Sequence, residues 1–174
     1  MLKKIVGFAL VCILIISSVG IFSGCGKKEE QKEEISKEVY EVPIRNYMEG
    51  IKNKDISLIL SAYPSFMQTI TQADLDAIYA KYEAMYGANI VMEYTLSDGV
   101  KIEEQKDLDT LASQIKEYYP DAGDIHITAA YIITVELTVS GDGAKQEEQN
   151  AEENKNKDTQ DFYVYRLNDN WYVF

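Results

Sequence analysis

The sequence predicts an α+β domain, with helices first and a curved antiparallel sheet after them. Three observations carry that expectation. Between Pro43 and Gly87 apolar residues recur at three- and four-residue spacing, the period of a helix face. From Ile90 to Leu96 they alternate instead, the period of a strand. Then Ile125, Ile127, Ala129, Tyr131, Ile133, Val135, Leu137 and Val139 fill every odd position of the longest alternating run in the chain.

Each element has its own start and stop. Pro43 suits the first turn of a helix, where an N–H has no partner to lose. Ile44, Tyr47, Met48 and Ile51 form its stripe. Asp55 can cap a second short helix carrying Ile56, Ile59, Leu60 and Tyr63, and Pro64 ends it. Thr71 caps a third, with Asp74 in the place of the usual Glu of a capping box. Its stripe is Leu75, Ile78, Tyr79, Tyr82, Met85 and Tyr86, and Gly87 suits the residue after its end. Ile90 to Leu96 reads as a strand. Ser97-Asp98-Gly99 reads as a turn, with Val100 and Ile102 opening a return strand. Asp107 is read as the cap of a fourth helix bearing Leu108, Leu111, Ile115 and Tyr119, stopped by Pro120. The run from Ile125 to Ser140 is too long to stay flat in a small domain, and Ala129-Ala130 is the expected bend. Phe162 to Leu167 and Trp171 to Phe174 form a closing hairpin around Asn168-Asp169-Asn170. Helices are expected on one face of the sheet.

The first residues belong to a different kind of chain. Met1 to Gly24 holds no acidic residue. Lys3 and Lys4 precede an apolar or small run from Ile5 to Phe22, as the n- and h-regions of an export signal do. Phe22-Ser23-Gly24-Cys25 follows, and it resembles the lipobox of bacterial lipoproteins, with Phe22 where Leu is usual. In that family the signal is cut before the cysteine, and the cysteine takes the lipid. The resemblance implies a signal peptide over 1–24, lipidation at Cys25, and a membrane location on the extracytoplasmic side. Cys12 would leave with the signal. Residues 25–38 then read as the lipidated cysteine and a charged, solvated tether. A single domain is expected over 39–174. Within it, 141–161 lacks aromatic and branched aliphatic residues and reads as an acidic, disordered hairpin loop.

Composition excludes several functions. With 17 Lys+Arg against 29 Asp+Glu the net charge is −12, which leaves no basic face for nucleic acid. Two cysteines and one histidine make neither a disulfide scaffold nor a His-rich metal centre. No metal or cofactor is expected.

The order helix, helix, helix, strand, strand, helix, long strand, strand, strand resembles the nuclear-transport-factor-2-like, cystatin-like superfamily of cone-shaped α+β domains. So does the ending Val164-Tyr165-Arg166-Leu167-Asn168-Asp169-Asn170-Trp171-Tyr172-Val173, with Asn170 where Gly often stands. The superfamily holds isomerases, cyclases and dehydratases, and also binding and dimerisation domains, so the fold does not choose a function. Its enzymes usually place an Asp or a His-Asp pair inside the cone. Here the odd positions of the long strand carry none. His126, the single imidazole, and Glu136 fall on the polar face, and Glu93 lies opposite Met92 and Tyr94. Catalysis is therefore the weaker expectation, and a buried carboxylate beside a Tyr hydroxyl would reverse that order. Tyrosine joins a large apolar ring to a polar end and suits partly wet pockets. Tyr79, Tyr82, Tyr86, Tyr131 and Trp171 are the candidate pocket residues, able to meet a small ligand, a glycan or a peptide. An accessory role toward another cell-envelope protein, and a homodimer through the sheet face, are the other readings.

Overall fold

A computed structural model describes residues 35–143 and 157–174 of the chain. The export signal, Cys25 and the tether as far as Glu34 lie outside the described residues, and so does 144–156 of the acidic loop. All described elements belong to one compact unit, Glu34–Phe174. The domain is α+β, with helices on a curled antiparallel sheet.

The helices begin and end where local chemistry allows. The first, α1, is Lys37–Tyr40, and α2 is Val42–Asn53 with Pro43 in its first turn. Lys54 ends α2 in the left-handed conformation at φ 55°. Asp55 caps α3, Ile56–Ser61, by accepting from the amides of Ser57 and Leu58. The sharp α2–α3 corner depends on Gly50: a Cβ there would stand 2.6 Å from Ile59 Cγ1. Pro64 leads into a single 3₁₀ turn at Ser65–Met67. Thr71 and Asp74 form the full capping box of α4, Gln72–Tyr86. Gly87 leaves α4 at φ 93°, where a side chain would strain the backbone.

The sheet differs from the sequence reading in three ways. First, β1 (Val91–Leu96) and β2 (Val100–Lys101) do not form a hairpin. Both pair with β3 (Ile127–Ser140) along the same edge and in the same direction. Leu96 faces Val135 and Val100 faces Ile132, so four steps on one side match three on the other. Ser97-Asp98-Gly99 is thus an outward bulge in one broken strand, not a reversal. Gly99 belongs there for a packing reason: a Cβ would come within 2.9 Å of the Tyr40 ring.

Second, β3 does not keep its odd residues on one face throughout. It starts at Ile127, and its register against β4 (Lys157–Leu167) shifts between Ile127 and Ala129. Thr128 is the extra residue, close to the expected bend. Ile127 therefore shares a face with Ala130, and the odd residues from Ala129 onward face the other way. The ladder also runs further than expected. Lys157 to Asp161, read as loop, pair with Thr138 to Thr134.

Third, the helices occupy both faces. Val164 packs with Tyr40, Ile44 and Met48 of α1 and α2. Its neighbour Tyr165 packs with Leu108, Leu111 and Ile115 of α5, Gln105–Tyr118. Alternation along β4 puts those two on opposite faces. We call the side covered by α1 to α4 the inner face and the α5 side the outer face. Asp107 lies in the first turn of α5, and Glu104 holds the cap position instead.

The last strand, β5 (Asn170–Val173), joins β4 through a tight turn with Asn168 and Asp169 at φ 50° and 65°. Its free edge is closed where the Val173 amide donates to the Ala62 carbonyl at 3.0 Å. Tyr63, half-buried, touches all three parts of the core.

Candidate functional site

The five aromatic residues chosen from the sequence do not gather in one place. Tyr131 stacks on Tyr40, with ring centres 4.0 Å apart and planes 13° apart, and Trp171 leans on both. Tyr40 and Tyr131 are buried, and with Trp171 they hold α1 onto the sheet. Tyr79 is also structural. Its hydroxyl donates to the carbonyls of Ile51 and Lys52, the last turn of α2, and so satisfies acceptors that a helix end leaves open. Tyr82 and Tyr86 remain half-exposed, ring centres 6.2 Å apart.

The second pair lies over the inner face, and the structure adds partners that the sequence reading did not name. Asp158, Gln160 and Phe162 precede Val164 at every second position of β4, so all four share the inner face. Opposite them on β3 stand Ile133, Val135 and Leu137. Tyr47 of α2 meets Phe162 at 5.6 Å and Tyr63 edge-on at 5.9 Å. Leu137 and Tyr47 pack into the α1–α2 part of the core and also into the part under α4. The result is a belt of partly buried rings: Tyr47, Tyr63, Phe162, Tyr82 and Tyr86, with Leu137 in the floor. Burial pushes the phenols of Tyr47, Tyr63 and Tyr82 up, and the charge of Asp158 adds to the shift at Tyr82. The Tyr47 hydroxyl on α2 and the Tyr63 hydroxyl just after α3 lie close enough to influence each other. The sequence signal for Tyr47 was present in the α2 stripe. Phe162 opens the strand read from the sequence, but Asp158 was hidden because the start of β4 reads as loop.

One buried charge was missed altogether. Glu41, between α1 and α2, is 2% exposed. Arg45 donates to its Oε2 from Nε at 3.1 Å and from Nη2 at 2.6 Å. Lys37 stands 3.5 Å from Oε1 and also pairs with Asp98 in the strand bulge. Arg45 also reaches Tyr94, whose phenol is pushed up to about 12 by burial and by its bond to Glu49. This is a buried carboxylate one residue away from a Tyr hydroxyl, yet it lacks what a general base needs. It is closed to solvent, and one oxygen is held by a fork of two donors. The i, i+4 spacing of Lys37, Glu41 and Arg45 could have shown the pairing, but not the burial.

Replacing Arg45 by alanine leaves that carboxylate facing a single exposed Lys. The expected cost is about 2 kcal/mol, below the ~3–5 of a fully buried pair because the Arg45 side chain is 53% exposed. Adding Glu41→Gln to the same chain should return at least half of the loss. Urea unfolding of the two variants checks this, and equal losses would mean that Glu41 is not a buried charge.

A separate recess of about 360 Å³ opens at the end of α2, lined by Lys52, Lys54, Tyr79, Glu83, Asn89 and Ile90. Most of its polar groups are already paired with one another or with a neighbour. Lys54 lies 4.1 Å above the Tyr79 ring and 3.5 Å from Glu83, and Asn89 is held by Asp142. It is a fastened joint. His126 and Glu93 are exposed, as read, and Glu136 pairs with Lys157 on the outer face. Among the described residues no three His, Cys, Asp or Glu side chains gather as metal ligands would, and no helix is long and apolar enough to cross a membrane. Compared with known proteins, the chain matches no family model, no curated protein and no solved structure.

Proposed function

We propose that this chain is an extracytoplasmic lipoprotein, anchored by lipid on Cys25, whose nuclear-transport-factor-2-like, cystatin-like domain is a binding module. The observation that supports the binding reading is the belt of partly buried rings on the inner face. Such rings offer a ligand large contact area at a low cost in side-chain ordering. The outer face is mixed: exposed Val100 pairs with Ile132, and Ile132 with Tyr163, beside the Glu136–Lys157 pair and a Thr134–Asp161 hydrogen bond of 2.6 Å. The anchoring reading rests on Lys3-Lys4, the apolar run and the small residues before Cys25. Two acyl chains would hold the protein firmly, since each buried CH₂ contributes about 0.8 kcal/mol.

Cys25→Ala tests the anchor directly. The wild-type chain, expressed in a bacterial host with labelled palmitate, should take up label and sediment with membranes. The variant should take up none. Continued labelling would place the lipid elsewhere and sink the assignment.

A further inference from the structure

We propose that the inner-face belt takes a cationic amphiphile, with an apolar or aromatic body on Tyr47, Phe162 and Leu137 and a protonated amine directed at Asp158 and the faces of Tyr82 and Tyr86. This rests on the reading of the belt as a ligand site and adds the sign of the ligand's charge.

Register and alternation supply the geometry. Asp158 faces Leu137 across the β3–β4 ladder and lies two residues from Gln160 and four from Phe162 on the same face. It is exposed, and among the described residues it has no ion-pair partner. Its neighbour Lys157 projects to the opposite face, where Glu136 holds it. The belt itself contains no Lys or Arg. Around Phe162 the inner face is thus an apolar floor with Asp158 at its rim; on the far side of Leu137, at Tyr94, Arg45 and Glu49 offset each other. Tyrosine faces carry negative electrostatic potential and attract ammonium groups. Without residues 1–24, which carry Lys3 and Lys4 and no acid, the net charge is −14, a long-range field of the same sign. A carboxylate-bearing ligand would meet repulsion from all three.

Three compounds of nearly equal shape separate the alternatives: phenethylamine, 2-phenylethanol and 3-phenylpropionate. Each is measured by equilibrium dialysis against the full chain in zwitterionic nanodiscs, with protein-free nanodiscs as the blank. Phenethylamine should bind tightest and weaken with added salt. Asp158→Asn should weaken it by about threefold, the scale of an exposed ion pair, and leave 2-phenylethanol unchanged. Tyr82→Leu should weaken both. Glu136→Gln, on the outer face, should change neither, and melting curves of all three variants check that the fold is kept. If 3-phenylpropionate binds as well as the amine and Tyr82→Leu weakens all three compounds alike, the charge inference is overturned and the binding site stands. If no compound binds, or Tyr82→Leu leaves every one unchanged, both readings fall.

Discussion

Tyr165→Ala should destabilise the domain by about 4 kcal/mol, within the range for truncating a buried aromatic ring. The ring is wholly buried on the outer face, under Leu108, Leu111 and Ile115. Across the ladder stands Ala130, whose small side chain leaves room for it. Its hydroxyl reaches Met67 Sδ at 3.3 Å, which fastens the 3₁₀ turn at Ser65–Met67, and Tyr172 leans on it at 6.1 Å. One ring therefore joins α5, the sheet and the turn after α3. No neighbour can fill the space, because the backbone of β4 is fixed by ladders on both sides. Tyr165→Phe keeps the ring and loses only the polar contact, for about 1 kcal/mol. The two variants separate packing from hydrogen bonding. Urea midpoints at constant slope give both numbers. A loss near 1 kcal/mol for the alanine variant would mean that α5 does not rest on this ring. Binding at the inner face should survive in both variants wherever they are folded, since the ring lies on the far side of the sheet.

The split between what was and was not legible in the sequence has a physical pattern. Caps were legible because their chemistry is local. Asp55, Thr71 with Asp74, Pro43 and Gly87 act within a few residues, and each stands where it was read. Strand existence was legible from alternation. Strand partnership was not. Ser97-Asp98-Gly99 has the composition of a turn, yet the chain goes straight on, because the Ser97 amide donates to Thr134 and the Ile102 amide to Ala130. The face of Ile127 was misread for a similar reason: a bulge moves one residue and no side-chain pattern records it. The start of β4 was hidden by its polarity. Asp158, Thr159 and Asp161 pair along the exposed end of the ladder, where burial asks for nothing apolar. The candidate site failed in the same way. Tyr82 and Tyr86 share a helix face with Tyr79, so spacing grouped them, and the structure separated them by what each ring meets. Nothing in the sequence marks Glu41 for burial, which is decided by how the α1–α2 corner packs.

Raising the pH should unfold this domain cooperatively, in a window that opens near pH 10. Burial pushes up the phenols of Tyr47, Tyr63, Tyr79, Tyr82 and Tyr119, and that of Tyr165 most clearly on the outer face. Tyr94 is pushed up to about 12. In the unfolded chain each titrates near its ordinary value of about 10. The folded state therefore holds protons that the unfolded state has already released. Stability rises with pH only where the unfolded state binds more protons, and here it binds fewer, so stability falls. The contribution is complete below about pH 10 and is lost as pH climbs through the folded values, toward about 12 for Tyr94. Many linked protons make the fall steep. The larger part of the tyrosinate absorbance should rise together with the loss of far-ultraviolet ellipticity, in one sigmoidal step. Tyr47→Phe should make that step shallower, since it removes one linked proton and leaves the ring in place against Phe162. Absorbance that climbs gradually around pH 10 while ellipticity holds steady would show open rings, and with them the packing argument for both faces of the sheet would fail.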